Sequence, residues 1–117
     1  MAKKATIYHN PKCSTSRQVL EMIGAAGYQP EVVEYLKAGW TKAQLKELFA
    51  AAGVSAREAL RTRAPEAEAL GLLEGKVSDA KLIDAMVAHP VLVERPFVVT
   101  AKGTLLARPK ERVREIL

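Results

Sequence analysis

Cysteine is almost missing from this chain, since Cys13 is the one thiol among 117 residues. A single thiol cannot form a disulfide within the chain, which is consistent with a reducing compartment. We therefore expect a cytoplasmic protein. Histidine is also scarce, and His9 and His89 lie far apart in the sequence. One cysteine and two distant histidines do not supply the ligand set of a zinc site, so we expect no bound metal.

Long apolar runs are lacking as well. No run is long enough to cross a bilayer, and the polar residues His9 and Asn10 end the first apolar stretch too early for a signal peptide. We expect no association with a membrane. The length predicts one domain, 1–117, which is large enough to bury a core of its own. We expect this domain to be a monomer.

Acidic residues are absent from the first twenty positions, which contain Lys3, Lys4, Lys12 and Arg17, and the formal net charge of the chain is +5. Nucleic-acid binding is one explanation of a basic chain. However, aromatic residues make up 5% of the sequence and do not alternate with the arginines, and no nucleic-acid-binding motif occurs. A site for a small anion explains the charge more simply, so we expect no nucleic-acid partner.

Cys13 stands between an apolar stretch at 5–8, which predicts a strand, and a helical pattern at about 14–26 that ends near Gly27. A cysteine at such a junction faces the free N–H groups and the positive dipole of the helix, which favour thiolate over thiol. Lys12, Arg17 and His9 add positive charge or hydrogen-bonding groups. The alternative, a buried cysteine that fills the core, fits these polar flanks less well.

The rest of the chain divides into a second strand, a block of helices and a hairpin. Residues 31–35 predict a strand that completes a right-handed parallel βαβ unit. The helical block at about 41–88 carries two capping-box signatures, Thr41 with Gln44 and Ser55 with Glu58. It also contains a predicted helix around 65–70 and a serine cap at Ser78. Residues 97–100 and 104–106 predict an antiparallel hairpin, and Pro109 suits the first turn of a last helix.

The order β-α-β, helices, β-β-α is the plan of the thioredoxin-like fold, an α/β fold with a mixed four-stranded sheet, here with a helical insertion at about 41–88. Such folds usually carry Cys-x-x-Cys, but Ser16 occupies the second position. Any oxidised or covalent intermediate on Cys13 must therefore be resolved by an outside thiol such as glutathione or a glutaredoxin. The chain contains neither a phosphatase loop, because Val19 stands where the arginine belongs, nor a phosphate-binding Gly-rich loop.

Arginine placement is the second signal of an anion site. Arg61 belongs to a cluster with Arg57 and Arg63, Arg95 precedes the hairpin, and Arg108 follows it. Guanidinium groups suit tetrahedral oxyanions because they donate paired hydrogen bonds and stay charged. Each arginine alone is better explained as a solvated surface charge. The combination of Arg61, Arg95 and Arg108 favours an oxyanion site, because two of them border a hairpin expected to pack beside the strand before Cys13.

Several segments, in order along nearly the whole chain, resemble the glutaredoxin-coupled arsenate reductase family, an ArsC/Spx-like branch of the thioredoxin-like superfamily. The most specific are Tyr8-His9-Asn10-Pro11-Lys12-Cys13-Ser14-Thr15-Ser16-Arg17 and His89-Pro90-Val91-Leu92-Val93-Glu94-Arg95-Pro96. Lys12 and Ser14 differ from the small residues of the best-known members, and Arg63 adds a cation.

The resemblance implies a reductase that converts arsenate to arsenite with no bound cofactor and with electrons from glutathione and glutaredoxin. It implies that Cys13 is the nucleophile and that Arg61, Arg95 and Arg108 bind the oxyanion. It further suggests that His9 and Ser16 support the thiolate and that Arg95-Pro96 is a cis peptide bond.

Two alternatives remain open, a monothiol glutaredoxin-like thiol-transfer enzyme and an Spx-like regulator that binds RNA polymerase. The arginine set disfavours the first. Ser16 disfavours the second, because such regulators usually carry Cys-x-x-Cys.

Overall fold

A computed structural model describes residues 3–117, which form two compact units. One unit combines residues 3–38 with Arg95–Leu117, and the other is Gly39–Glu94. The expectation of one domain over 1–117 stays a prediction. Its first two residues lie outside the described part of the chain.

The first unit contains a four-stranded mixed sheet in the order β2-β1-β3-β4. Its elements are β1 (Lys3–His9), α1 (Ser14–Ala25), β2 (Tyr28–Glu34), α2 (Tyr35–Ala38), β3 (Phe97–Thr100), β4 (Gly103–Leu106) and a 3-10 helix (Lys110–Ile116). Strand β1 pairs in parallel with β2 and antiparallel with β3, and β3 pairs antiparallel with β4. The predicted βαβ unit, the hairpin and the thioredoxin-like class are thereby confirmed.

The core of this unit lies where α1 and the 3-10 helix pack against the sheet. Alternation along β1 buries Ala5 and Ile7, and the helical period of α1 buries Val19 and Ile23. Each fully buried Val or Ile contributes about 1.5–3 kcal/mol through apolar burial. The same cluster includes Tyr28, Val98, Leu105, Ala107, Val113 and Ile116. This packing holds the N-terminal end of α1 at the end of β1.

Strand β2 begins three residues before the predicted Glu31 and ends at Glu34. The predicted start was late because Pro30 reads as a strand breaker. Since β2 is an edge strand, however, Pro30 is tolerated there and pairs with Ala5 of β1. Tyr35, predicted to end the strand, instead begins α2. Gly27, at a φ of 85°, makes the turn between α1 and β2 in a left-handed conformation that favours glycine.

The last helix differs from its prediction in type and start. It is a 3-10 helix that begins at Lys110, and Pro109 precedes it as the N-cap with extended backbone angles. The predicted cis bond Arg95-Pro96 is confirmed, and Arg108-Pro109 is also cis, which the sequence analysis did not anticipate.

The second unit is helical, with α3 (Lys42–Ala52), α4 (Ala56–Ala59), α5 (Pro65–Ala69), α6 (Asp79–Ala88) and a 3-10 helix (Pro90–Leu92). Both capping boxes are confirmed, with Thr41 and Ser55 as the N-caps. The Ser78 side chain likewise accepts a hydrogen bond, from the Lys81 backbone N–H at 3.2 Å. None of the helices in residues 3–117 is long and apolar enough to cross a bilayer.

Candidate active site

Cys13 is the N-cap residue of α1, directly after the loop that leaves β1. Its backbone N–H donates to the Asn10 carbonyl at 3.0 Å, and its own carbonyl accepts from the Arg17 N–H at 3.0 Å. These bonds close the loop and begin the helix. The thiol is free and partly exposed. The predicted strand-to-helix junction is confirmed, and the alternative of a fully buried cysteine is not what the structure contains.

The pKa of the Cys13 thiol is lowered from its ordinary value by its neighbours. Burial by itself raises it, but hydrogen bonding and charge from the Arg95 side chain, with the backbone N–H groups of Ser16 and Thr15, outweigh that effect. Donors at a helix N-terminus and a guanidinium both stabilise a thiolate. The sulfur is therefore set up as a nucleophile that a solvent-borne reactant can reach.

Arg95 is charged and nevertheless buried, with 7% of its surface exposed. It lies two residues before the hairpin strand β3, whose Phe97 pairs with Tyr8 of β1, so the sheet register brings it to the end of β1 that leads to Cys13. Its Nε and Nη1 atoms are fully buried and make no hydrogen bond within residues 3–117. A buried N–H group without a partner is costly. These two donors are therefore suited to an anionic ligand.

Arg108 follows β4 and donates from Nη1 to the Arg95 carbonyl oxygen at 3.1 Å. It also lines an open cavity of about 260 Å³ with Thr15, Pro109, Lys110 and Glu111. Thr15 belongs to the first turn of α1, and its backbone N–H faces the Cys13 sulfur. The structure thus brings three predicted residues, Cys13, Arg95 and Arg108, together in one compact unit.

His9 and Ser16 form a buried hydrogen bond, 2.6 Å between Nδ1 and Oγ. Ser16 Oγ also accepts from the Asn10 backbone N–H at 3.1 Å. Burial lowers the pKa of His9, partly opposed by the Glu34 charge, while Arg17 lowers it further. The His9–Ser16 hydrogen bond connects the end of β1 to α1. Ser16 faces the Cys13 sulfur with its backbone N–H and not with its hydroxyl. That His9 and Ser16 support the thiolate stays a prediction.

Arg61 lies in the other unit, Gly39–Glu94. Its Nη1 forms an ion pair with Glu94 Oε1 at 3.4 Å, and its backbone N–H donates to the Leu92 carbonyl at 2.8 Å. Its predicted contact with an oxyanion stays a prediction. Arg63 is exposed, and Arg57 is committed to a structural role because it donates to three backbone carbonyls, those of Leu72, Glu74 and Val77.

Two residues near the thiol were missed by the sequence analysis. Asn10 is buried, and its side-chain oxygen accepts from the Lys12 N–H at 3.0 Å, an Asx turn that an Asn-Pro dipeptide could have signalled. Tyr35 is buried with its hydroxyl near Asn10 and Arg95. No local sequence pattern indicated that Tyr35 lies near the thiol, because residues 31–35 were predicted as the second strand.

The described residues thus offer a thiol–guanidinium pair rather than a metal centre. Within residues 3–117 there is no group of three His, Cys, Asp or Glu side chains that could hold a metal ion. A thiolate beside a guanidinium with two unbonded N–H groups can attack the central atom of a tetrahedral oxyanion while its charge is stabilised.

Comparison with known proteins agrees with this geometry. The family model described as the ArsC family matches residues 8–116. The arsenate reductase ArsI2 of Synechocystis is 58% identical over 111 residues, which are 95% of this chain and 79% of that protein. The arsenate reductase of Escherichia coli K12 is 50% identical over 112 residues, which are 96% of this chain and 79% of its own length.

A solved structure agrees along the whole chain. The arsenate reductase from Vibrio cholerae superposes with a TM-score of 0.94 at 38% identity, and the match covers 100% of both chains. The family match over residues 8–116 and the two relatives at 50% identity or more lead to one conclusion. The chain belongs to the ArsC family.

Proposed function

We propose that this protein reduces arsenate to arsenite, with Cys13 as the nucleophile and with glutathione and glutaredoxin as the source of electrons. The observation that carries the proposal is the pairing of a thiol of lowered pKa with the buried Arg95 guanidinium, two of whose N–H groups are unbonded within the described chain. The relatives named as arsenate reductases supply the identity of the oxyanion.

Arg95 and Arg108 bind the oxyanion in this proposal. The Nε–H and Nη1–H groups of Arg95 donate to two oxygens, as a planar guanidinium does to a carboxylate or phosphate. Arg108 lines the neighbouring cavity, whose Thr15 wall lies in the first turn of α1. The family resemblance adds Arg61 to this set, and an Arg61→Ala variant tests that part separately.

The chemistry starts when the Cys13 thiolate attacks arsenic and forms a sulfur–arsenic bond. One arsenic–oxygen bond breaks, and the oxygen leaves as water after taking up protons. Arsenic is not yet reduced at this stage. Arg95 stabilises the anionic adduct because its positive charge lies beside the sulfur.

Reduction needs two electrons, which two external thiols supply. In sum, arsenate and two thiols give arsenite, one disulfide and water. Glutathione and a glutaredoxin are the proposed thiols, since Cys13 has no partner cysteine in the sequence and cannot form an internal disulfide. The chain itself needs no bound cofactor for this scheme.

The test is arsenate-dependent NADPH oxidation coupled through glutathione reductase. We expect turnover when glutathione and glutaredoxin are both present, and none when thioredoxin and its reductase replace them. Absence of arsenate-dependent oxidation would contradict the proposed substrate. Efficient turnover with thioredoxin alone would contradict the single-thiol scheme. Transfer activity toward glutathione mixed disulfides without arsenate reduction would favour a thiol-transfer enzyme instead.

A further inference from the structure

The open cavity of about 260 Å³ lies beside the turn that holds Cys13. Its walls are Thr15, in the first turn of α1, and the segment 108–111 that follows β4, and all of these residues belong to the first compact unit. Cys13 is the N-cap of α1, so Thr15 follows the thiol within one helical turn, which rises about 5.4 Å. A group bound in this cavity is therefore close to the reacting sulfur.

The cavity is larger than an oxyanion needs. A water-sized group occupies about 30 Å³ in the liquid, so an oxyanion at Arg108, which is a central atom with its oxygens, fills roughly half of the space. The other walls, Lys110 and Glu111, are left to bind part of a second reactant. The proposed function requires such a reactant, an external thiol that must reach Cys13.

Lys110 and Glu111 give the cavity a cation and an anion on consecutive residues. Lys110 is partly buried, and its Nζ donates to Gln18 Oε1 at 3.2 Å. Gln18 lies three residues after Thr15 on the same face of α1, so this bond directs the ammonium group toward the cavity. It uses one of the three donors of the ammonium group. Glu111 is exposed and forms no ion pair within residues 3–117.

Glutathione carries a matching pair of charges at one of its two ends. Its γ-glutamyl end has a carboxylate and an ammonium group on the same carbon atom, whereas its glycine end has a carboxylate alone. The link from that carbon atom to the cysteinyl residue is longer than a peptide unit, which spans about 3.8 Å. A γ-glutamyl end held at Lys110 and Glu111 therefore allows the glutathione thiol to extend past Thr15 toward Cys13.

We infer that this cavity binds the γ-glutamyl end of glutathione, with Lys110 holding its carboxylate and Glu111 its ammonium group. The inference rests on the proposed function, because it names the place where the first external thiol binds, and it adds no step to the reaction balanced above. Binding can nevertheless be measured without arsenate, because a free thiol such as Cys13 also exchanges with the disulfide of glutathione.

The test compares the rate constants for the reaction of Cys13 with oxidised glutathione and with bis(2-hydroxyethyl) disulfide, an uncharged probe. In both reactions the Cys13 thiolate attacks one sulfur of the probe, a mixed disulfide forms, and the other half of the probe leaves as a thiolate. Mass spectrometry of the protein measures both products. The ratio of the two rate constants cancels changes in the thiolate fraction and nucleophilicity of Cys13, so it reports recognition of glutathione.

Glu111→Gln is the decisive variant. Oxidised glutathione is negatively charged, so loss of a nearby carboxylate would raise the ratio if the cavity acted only through its overall charge. Because we expect Glu111 to bind the ammonium group, the ratio should instead fall by about 3- to 10-fold, as for one charge-assisted contact that is open to water. An unchanged or raised ratio would overturn the inference.

Glu115→Gln is the matched control for that variant, because Glu115 is exposed on the same 3-10 helix and does not line the cavity. It should keep the parental ratio. Both glutamates are exposed, so the melting temperatures of both variants should stay close to that of the parent. An equal fall in Glu115→Gln would show that the cavity is not the cause and would overturn the inference.

Lys110→Gln should also lower the ratio by about 3- to 10-fold, and Lys110→Arg should keep most of it, because arginine retains the charge. Arg112→Gln is the control, since it removes a positive charge from an exposed residue of the same helix outside the cavity. Its ratio should stay parental. An equal loss in Arg112→Gln would indicate long-range attraction instead of binding in the cavity and would overturn the role of Lys110.

A third probe identifies the end of glutathione that is bound. The disulfide of N-acetylcysteinylglycine keeps the glycine carboxylate but lacks the γ-glutamyl group and its ammonium group. Its rate constant, relative to that of the uncharged probe, should not change in Lys110→Gln or Glu111→Gln. A fall as large as that seen with oxidised glutathione would overturn the assignment of the γ-glutamyl end.

Kinetics with arsenate separate this inference from the proposed function. With glutaredoxin in excess, Glu111→Gln should raise KM for glutathione by about 3- to 10-fold and leave KM for arsenate near the parental value. If the parent protein does not reduce arsenate, the proposed function fails, yet the exchange rates still decide whether the cavity binds glutathione. An unchanged KM for glutathione in an active Glu111→Gln protein would overturn the role of the cavity in arsenate reduction.

Discussion

Arg57 and Arg95 lie in different compact units and use their guanidinium groups in opposite ways. Arg57, in α4 of the helical unit, donates to the carbonyls of Leu72, Glu74 and Val77 at 2.7, 2.8 and 3.3 Å. Arg95 is buried more deeply, yet two of its nitrogens make no hydrogen bond within residues 3–117. The first arrangement stabilises a loop that has no other regular structure. The arrangement of Arg95 leaves the positive charge and two nitrogen donors of its guanidinium available beside the Cys13 thiol.

The comparison shows how a structural arginine differs from a functional one in this chain. Arg57 is followed by Arg61 and Arg63, whereas Arg95 stands beside Glu94 in an otherwise largely apolar stretch. Satisfied donors indicate a role in stability, because the free energy of their hydrogen bonds is already realised in the folded chain. Unsatisfied buried donors indicate a role in binding, since folding alone leaves their desolvation uncompensated. Substitution of Arg57 should therefore change mainly the free energy of unfolding, whereas substitution of Arg95 should change mainly kcat/KM.

The largest effect is expected for Cys13→Ser. Removal of the nucleophile should abolish arsenate reduction in the coupled NADPH assay, because no second thiol in the sequence can replace it. The melting temperature should change little, since the thiol is partly exposed and forms no disulfide. Ser14→Ala is a suitable control, because Ser14 is exposed on the same turn. Residual turnover in Cys13→Ser near the parental rate would remove Cys13 from the mechanism.

Arg95→Ala sharpens the comparison most directly. Loss of one charge-assisted donor group in such a site should lower kcat/KM by about 30- to 1,000-fold, which corresponds to roughly 2–4 kcal/mol. Arg95→Lys should recover only part of this loss, because lysine keeps the charge without the planar fork. The same steady-state measurements on Arg108→Ala and Arg61→Ala test the other predicted arginines.

Arg112→Ala is the control for the arginine series, because Arg112 is exposed and its Nε lies 3.7 Å from Glu115 Oε2 on the last helix. It should keep parental activity. If the Arg95 and Arg112 variants were equally active, Arg95 would not bind the oxyanion.

Arg57→Ala should reverse the pattern seen for Arg95. It removes hydrogen bonds to three carbonyls and should lower the free energy of unfolding by about 2 kcal/mol, while kcat/KM of the remaining folded protein stays near the parental value. Urea unfolding and activity measured at the same temperature check both parts. A stable but inactive Arg57→Ala protein would break the distinction between the two arginines.

The smallest expected effect is the pH dependence of stability that His9 contributes. Burial lowers the folded-state pKa of His9 below its unfolded value of 6.5. Between these two pKa values the unfolded chain binds a proton that the folded chain does not, so the unfolding free energy should fall as pH decreases below about 6.5. His9→Gln should flatten this part of the urea-derived stability profile.

His89→Gln is the matched control, because it removes the imidazole of an exposed histidine outside the site. A parental slope in His9→Gln would assign the effect to other groups.

The sequence by itself determined the elements whose signals are local. Thr41 with Gln44 and Ser55 with Glu58 predicted helix starts because a capping box needs only residues three positions apart. Cys13 could be placed at a helix N-terminus for the same reason, because an apolar strand pattern and a helical pattern meet there. These signals, with the order of the elements, sufficed for the thioredoxin-like class.

Tertiary structure decided everything that depends on pairing or burial. Strand β2 includes Pro30 because it lies at the edge of the sheet, which no local pattern indicates. Tyr35 reaches the site because two parallel strands end together, and Arg95 is buried beside Cys13 because Phe97 pairs with Tyr8. These contacts join residues far apart along the chain, and their free energy arises only when the sheet forms. The thiol, its helix N-terminus and the candidate arginines could therefore be named from the sequence, but the burial of Arg95 beside the sulfur could not.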